Sequence, residues 1–332
     1  MISVDGAWDA PGLNLSHWPG NRTPRELRHD LSTGTALAFS GLGEPRQREL
    51  AGAAVAIVNN HYDTDGTCAL FAVRHPELAL PRAEALLRAA RAGDFYQAPD
   101  EDALAVDAIV EGFADPERSP IAAELRGLDD PARHDLATRR LLERLPEILD
   151  GRVAAYAELF EPVLRRYRGD LADLAACARD DIVHLDLSIW TAPADARSSD
   201  PEARGFDPSR HALFGSSGAD RVLVLATRGG GTTCRFAIGT RSWFDLREPT
   251  TLPRPDLRAL ARRLNELEGS GPADAVAWRT QGALGASPEL WFGRDGVESF
   301  SEHNPGLEAS SLSPGRVRRE IADALRERLV LQ

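Results

Sequence analysis

No lysine occurs in this 332-residue chain, so all 39 of its basic residues are arginine. That absence removes a Schiff-base lysine, a pyridoxal-phosphate anchor and the lysine of a phosphate-binding loop together. Arginine is left as the only permanently cationic side chain able to hold a phosphate or carboxylate, which its planar fork does bidentately. Cysteine is nearly as scarce. Cys68, Cys177 and Cys234 are odd in number and far apart, which excludes a disulfide framework and a Cys-x-x-Cys metal clip and points to a reducing, cytoplasmic setting. Long hydrophobic runs are missing too: no apolar stretch approaches the roughly 18 residues of a membrane span. The N-terminal MISVDGAWDAPGLN also lacks a signal-peptide pattern. Acids outnumber bases 51 to 39, a net charge of −12, so long nucleic acid and anionic membranes are disfavoured as partners. A small substrate in a locally positive or metal-lined pocket is compatible with that balance.

The length, with 42% hydrophobic residues, predicts two domains. LNLSHW reads as a short strand, and Thr23, Pro24 and Glu26 form a capping box that predicts a helix from Pro24 through RELRHDLSTGTALAF. Residues 53–58 are apolar throughout and suit a strand buried on both faces, followed by a helix in GTCALFAV. A further helix from Pro81 to about Arg91 is expected to end at Gly93-Asp94, and residues 100–180 read as helical from three-to-four apolar spacing. IVHLDLSIWTA alternates as a strand from Ile182, and a polar Pro- and Ser-containing stretch follows as the expected linker. Beyond it DRVLVLAT, TTCRFAIGT, AVAWRT and PELWFG read as strands, with helices in RPDLRALARRLNELEG and SPGRVRREIADALRERL. The expected class is α/β: a parallel-sheet domain with a helical layer over residues 1–190, then a smaller mixed α+β domain over residues 210–332.

The stretch NNHYDTDGT at the end of the apolar run carries the most chemistry. On an extended segment His61, Asp63 and Asp65 point to one side, placing one imidazole and two carboxylates within reach of a metal or metal pair. Open α/β sheets bind ligands outside the carboxyl ends of their strands, where this turn lies. Imidazole with carboxylates suits Mn²⁺, Zn²⁺ or Fe²⁺ better than calcium. An EF-hand register fails, because its first and twelfth positions fall on His61 and Ala72. The competing reading is that Asp63 and Asp65 only cap the following helix and complement its dipole.

His61-x-Asp63-x-Asp65-Gly66 behind an apolar strand resembles the first motif of the DHH superfamily of phosphoesterases, in which such aspartates bind Mn²⁺. RFAIGTRSW, DLRALARRL and QGALGASPEL follow the strand, helix and glycine-bearing loop order of that superfamily's C-terminal domain. SHWPGN and NNHYDTDG also resemble segments of a bacterial family without an assigned activity. The first resemblance implies Mn²⁺, or another divalent metal, held by His61, Asp63, Asp65 and Asp94, with His61, Asp63 and Asp65 also catalytic. It implies hydrolysis of a small phosphate ester or phosphodiester in an interdomain cleft. His17 and Arg22 in SHWPGNRTP are the expected substrate-binding pair, with Arg241 or Arg279 as further phosphate clamps. His184 and His303 are weaker candidates. No Asp-His-His triplet occurs in the chain, which keeps open a catalytically inactive DHH-like ligand-binding protein, or metal-dependent hydrolysis of something other than a phosphate.

Overall fold

The computed structural model describes every residue except 7–8, 200–204, 249, 272, 282–284, 298–301, 303 and 331–332, and all their side chains save those of 328 and 330. His303 and part of the QGALGASPEL loop therefore lie outside the described residues. The fold is mixed α/β, with a three-stranded and a six-stranded sheet. The chain divides into two compact units, Met1–Arg165 with Phe244–Thr250, and Arg166–Trp243 with Thr251–Gln332. The division falls inside a helix rather than in the polar stretch before residue 210, and a short late segment belongs to the first unit.

In the first unit β1 (Ile2–Val4), β2 (Leu13–Leu15) and β3 (Ile57–Val58) form an all-parallel sheet in the order β2-β1-β3. The helices are α1 (Ser32–Ser40), α2 (Glu44–Ala51), α3 (Thr64–Arg74), α4 (Pro76–Ala79), α5 (Ala83–Phe95), α6 (Glu101–Phe113), α7 (Ala122–Leu125), α8 (Asp130–Leu142), α9 (Leu145–Leu149) and α10 (Ala157–Ala175), the last crossing the division at Arg165. Val4 and Leu15 pack with Phe39 of α1, Phe71 of α3 and Leu86 of α5 in one core. Parallel pairing sends the C-terminal ends of all three strands to one edge, so the residues that follow them meet there.

Three local expectations change. The helix expected from Pro24 is a 3₁₀ turn at Arg25–Leu27, and α1 starts only at Ser32. Thr23 does not cap it; its Oγ1 donates to the Ser16 carbonyl and accepts from the Ser16 N–H, closing the loop after β2. Residues 53–58 yield only two strand residues at a sheet edge, with Val55 96% exposed, because three alanines offer little area to bury. Gly93 and Asp94 do not end the helix begun after Pro81. They lie inside α5, which stops at Tyr96 in the left-handed conformation.

The second unit contains β4 (Ala178–Ile182), β5 (Leu187–Thr191), β6 (Arg221–Arg228), β7 (Gly231–Ile238), β8 (Ala277–Thr280) and β9 (Glu289–Gly293), in the order β4-β5-β6-β7-β9-β8. Only β5 and β6 pair in parallel. IVHLDLSIWTA is not one strand: a 3₁₀ turn at Val183–Leu185 and left-handed Asp186 break it, and both arms join this sheet rather than the first unit's. His184 sits exposed in that turn. Helices α11 (Arg210–Ser217), α12 (Leu257–Glu268) and α13 (Pro314–Val330) complete the unit, and Leu264, Val317 and Ile321 pack with Leu223, Phe236 and Ile238 in one core. No helix among the described residues is long and apolar enough to cross a membrane.

Asn265 of α12 is buried where an apolar residue would fit the helix stripe. Its Nδ2 donates to the Trp278 carbonyl at 3.0 Å and its Oδ1 accepts from the Trp278 N–H at 2.8 Å, tying α12 to β8. Asn265→Ala leaves both backbone groups buried without partners, so a loss of about 1–3 kcal/mol is expected in urea unfolding.

Candidate metal centre

Each strand of the small sheet is followed at its C-terminal end by a group that reaches the same place. Asp5 follows β1, His17 follows β2, and His61 and Asp63 follow β3. Asp65 comes from the first turn of α3 and Asp94 from the last turn of α5. Asp5, His17 and Asp65 offer ligand atoms close enough to hold one metal ion, as do Asp5, His61 and Asp63, so Asp5 is shared by two groups.

The distances define the arrangement. His17 Nε2 lies 3.0 Å from Asp94 Oδ2, 3.6 Å from Asp65 Oδ2 and 3.8 Å from Asp5 Oδ1. His61 Nε2 lies 3.0 Å from Asp5 Oδ2 and 2.7 Å from Asp63 Oδ2. The His17 group is closed off, with His17 only 1% exposed. The side chains of His61 and Asp63 are 28% and 30% exposed, so the second group faces solvent. Asp5 has φ 41, an uncommon conformation for a non-glycine residue, and Gly6 follows at φ 104. The chain is thus turned sharply at the residue that both groups share.

His61, Asp63 and Asp65 do not point to one side as an extended segment requires, because α3 begins at Thr64. Asp63 is its N-cap, accepting from Gly66 N at 2.8 Å through one oxygen while the other faces His61. Asp65 turns to α1: its oxygens accept from Ser32 N at 2.7 Å and Thr33 N at 2.8 Å, capping a helix that starts 33 residues earlier. Capping and chemistry are therefore not alternatives for these aspartates. Gly66 serves by smallness rather than by a turn conformation, since a Cβ there would sit 2.2 Å from Asn59 Nδ2 and 3.0 Å from Asp5 Oδ2.

His17, expected to bind substrate, is buried among the carboxylates, in one of the groups that could hold a metal ion. Arg22 is exposed, its guanidinium on the Ala10 carbonyl. Within the second unit Arg241 donates to the Gly218 carbonyl, and Arg279 to those of Gly293 and Asp274. Asp5 was missed by sequence reasoning, although the apolar ISV followed by Asp-Gly repeats the strand-to-turn pattern of AIV and its polar successor. Asp30 and Asn60 were given no role by sequence reasoning: the Asp30 carbonyl meets His17 Nδ1 at 2.5 Å and Asn60 Oδ1 meets His61 Nδ1 at 2.7 Å, each orienting the ring so that Nε2 faces the carboxylates.

The electrostatics follow from four buried or half-buried carboxylates around two imidazoles. Burial works against the charged form of His17, but Asp94, Asp65 and Asp5 outweigh it and hold the imidazole up to about 9. Burial likewise opposes charge on His61, and Asp63 and Asp5 overcome it, to about 11. Burial and the neighbouring Asp63 push Asp5 up to about 6, and burial with the nearby Asp65 raises Asp94 well above the usual carboxylate range. Desolvation opposes charge on the half-buried Asp63 as well, yet His61 beside it holds its carboxyl low. Asp5 Oδ2 and His17 Nε2 are buried and make no well-formed hydrogen bond, an arrangement that suits a cation between them.

A family model matches residues 1–331, and its description is a family of unknown function (DUF6687). No curated protein and no solved structure matches the chain.

Since the folded His17 value lies above the ordinary 6.5, its ion pairing stabilises the metal-free protein fully below about pH 6.5 and is lost as pH rises through about 9. The melting temperature of metal-stripped protein is expected to fall across that window, by on the order of 3 kcal/mol of stability. His17→Asn should reduce the slope to the part that His61 contributes, and a wild-type melting curve independent of pH there would contradict the arrangement.

Proposed function

The chain belongs to the family of unknown function DUF6687, whose description carries no chemistry, and from the centre itself we propose that the protein is a metal-dependent hydrolase of small phosphate esters or phosphodiesters, loaded with Mn²⁺. The observation that carries the reading is the sharing of Asp5 between two imidazole–carboxylate groups at the C-terminal edge of a parallel sheet. The donor set fits such an ion: nitrogen and carboxylate oxygen without thiolate suit Mn²⁺, and the imidazoles would give up their protons to bind it. His17, Asp65 and Asp94 would hold the closed side, His61 and Asp63 the open side, and Asp5 would face both.

When bound, such an ion supplies Lewis acidity, activating water near neutral pH and taking up charge that develops on a phosphoryl oxygen. The protein's own residues do the rest. Asp30 and Asn60 fix the imidazole planes, and the N-termini of α1 and α3 hold Asp65 and Asp63 in place through backbone N–H groups. Substrate would enter on the side of the part-exposed His61 and Asp63, beside the half-buried indole of Trp18, whose ring lies 4.9 Å from that of His61. The likeness of the His61-to-Gly66 motif to DHH phosphoesterases supports the phosphate ester as substrate class. The three free thiols support a cytoplasmic setting.

Calorimetry of metal-stripped protein with Mn²⁺ tests the reading without a guess at the substrate. Asp5→Ala is expected to weaken binding at least about 100-fold, the upper end for residues that only orient a ligand. Hydrolysis of bis(p-nitrophenyl) phosphate should fall with it. Tight binding without turnover of any phosphate ester would favour a ligand-binding protein, and no binding by the wild type would end the metal reading.

A further inference from the structure

His17 is held by a segment that lies more than two hundred positions further along the chain. Phe244–Thr250 belongs to the first unit, although the residues before and after it belong to the second. The Phe244 ring stacks on the His17 imidazole, with centroids 3.8 Å apart and planes 18° from parallel. Phe95 meets Phe244 edge-on at 6.0 Å, and Phe244 and Leu246 pack on Leu31, Ala90 and Phe95. Backbone bonds run alongside: Asp245 N donates to the His17 carbonyl at 2.8 Å, and Asp245 Oδ2 accepts from Gly20 N at 3.3 Å and Asn21 Nδ2 at 3.2 Å.

Asp30 joins both ends of this arrangement. Its Oδ1 accepts from Arg247 N at 2.6 Å and Glu248 N at 2.9 Å, while its carbonyl meets His17 Nδ1. The segment therefore acts on the imidazole in three ways: through the ring face, through the residue's own carbonyl, and through the residue that orients Nδ1. A buried imidazole otherwise has rotamer and flip freedom about its side-chain bonds, and a ligand nitrogen displaced by about 1 Å is a poor ligand.

We propose that Phe244–Glu248 is a positioning strap for the His17 ligand, fixing the plane of its ring so that Nε2 faces Asp5, Asp65 and Asp94. This rests on the metal-centre reading and adds to it that the centre is incomplete without a segment from the later part of the chain. Phe244 is a positioning residue. It touches neither metal nor substrate and acts through His17.

The test is a double-mutant cycle on the full chain, read as Mn²⁺ affinity by calorimetry, with amide hydrogen exchange of residues 244–248 followed with and without Mn²⁺. Phe244→Ala is expected to weaken Mn²⁺ binding at least tenfold and Phe244→Tyr, which keeps the flat ring, to restore it, while Phe244→Leu does not. In a His17→Ala background Phe244→Ala should have no additional effect, and Mn²⁺ should slow exchange at the Asp245, Arg247 and Glu248 amides of the wild type. A purely structural role would lower the melting temperature of all three Phe244 variants without separating the tyrosine from the leucine in metal affinity. Unchanged Mn²⁺ affinity in Phe244→Ala would overturn the strap and leave the metal centre standing. Absence of Mn²⁺ binding by the wild type would overturn both.

Discussion

The mutual repulsion of carboxylates gathered around Asp5 is the constraint on which the first unit is built. Two like unit charges about 4 Å apart cost about 4 kcal/mol at an effective dielectric of about 20, and Asp5, Asp63, Asp65 and Asp94 are crowded into one place. Two imidazoles carry part of the compensation. The rest comes from backbone: α1 directs two N–H groups at Asp65 and α3 directs one at Asp63, so both helices start where the negative charge is. Ser32 adds a hydroxyl donor to Asp5 Oδ1 at 2.8 Å. The positions of α1 and α3, and with them the core that Phe39 and Phe71 form over the sheet, are thus tied to the charge cluster.

That tie explains which parts could be seen in the sequence. His61, Asp63 and Asp65 stand within five residues and follow an apolar run, so their chemistry is visible locally, and the strand-to-helix turn around them is real. Asp5 and His17 are joined to them only by parallel pairing, which brings together residues more than forty positions apart and leaves no local trace. The start of α1 was misplaced for the same reason: its cap is Asp65, not Thr23, and no window around Ser32 contains it. Gly66 was noticed for the wrong property, because close approach of Asn59 and Asp5 has no sequence signature distinct from a turn.

In the second unit β6 and β7 were legible as short, largely apolar runs buried on both faces, and the amphipathic α12 because its apolar residues fall on one buried face. The corner between β4 and β5 was not, since Val183 and Asp186 continue the apolar–polar alternation through it. Nor was the buried ionic network visible. Arg210 and Arg235 each place an Nη2 2.6 Å from Glu289 Oε1, and Arg235 Nη1 reaches Asp207 at 2.9 Å. In a chain whose only permanent cation is arginine, a buried guanidinium looks like any surface one until its partners are known.

Stability alone gives no reason for a centre like that around Asp5. Buried ion clusters replaced by apolar side chains of similar volume are often neutral or more stable, and a left-handed aspartate adds backbone strain. The proposed metal ion would supply the reason. An imidazole must be neutral to offer its nitrogen to a metal, so binding of the proposed ion would displace the protons that the carboxylates favour on His17 and His61. Metal affinity and acidity would therefore be linked through the same carboxylates that position α1 and α3. The open His61 side is where that exchange would meet solvent, because Phe244 covers the His17 ring.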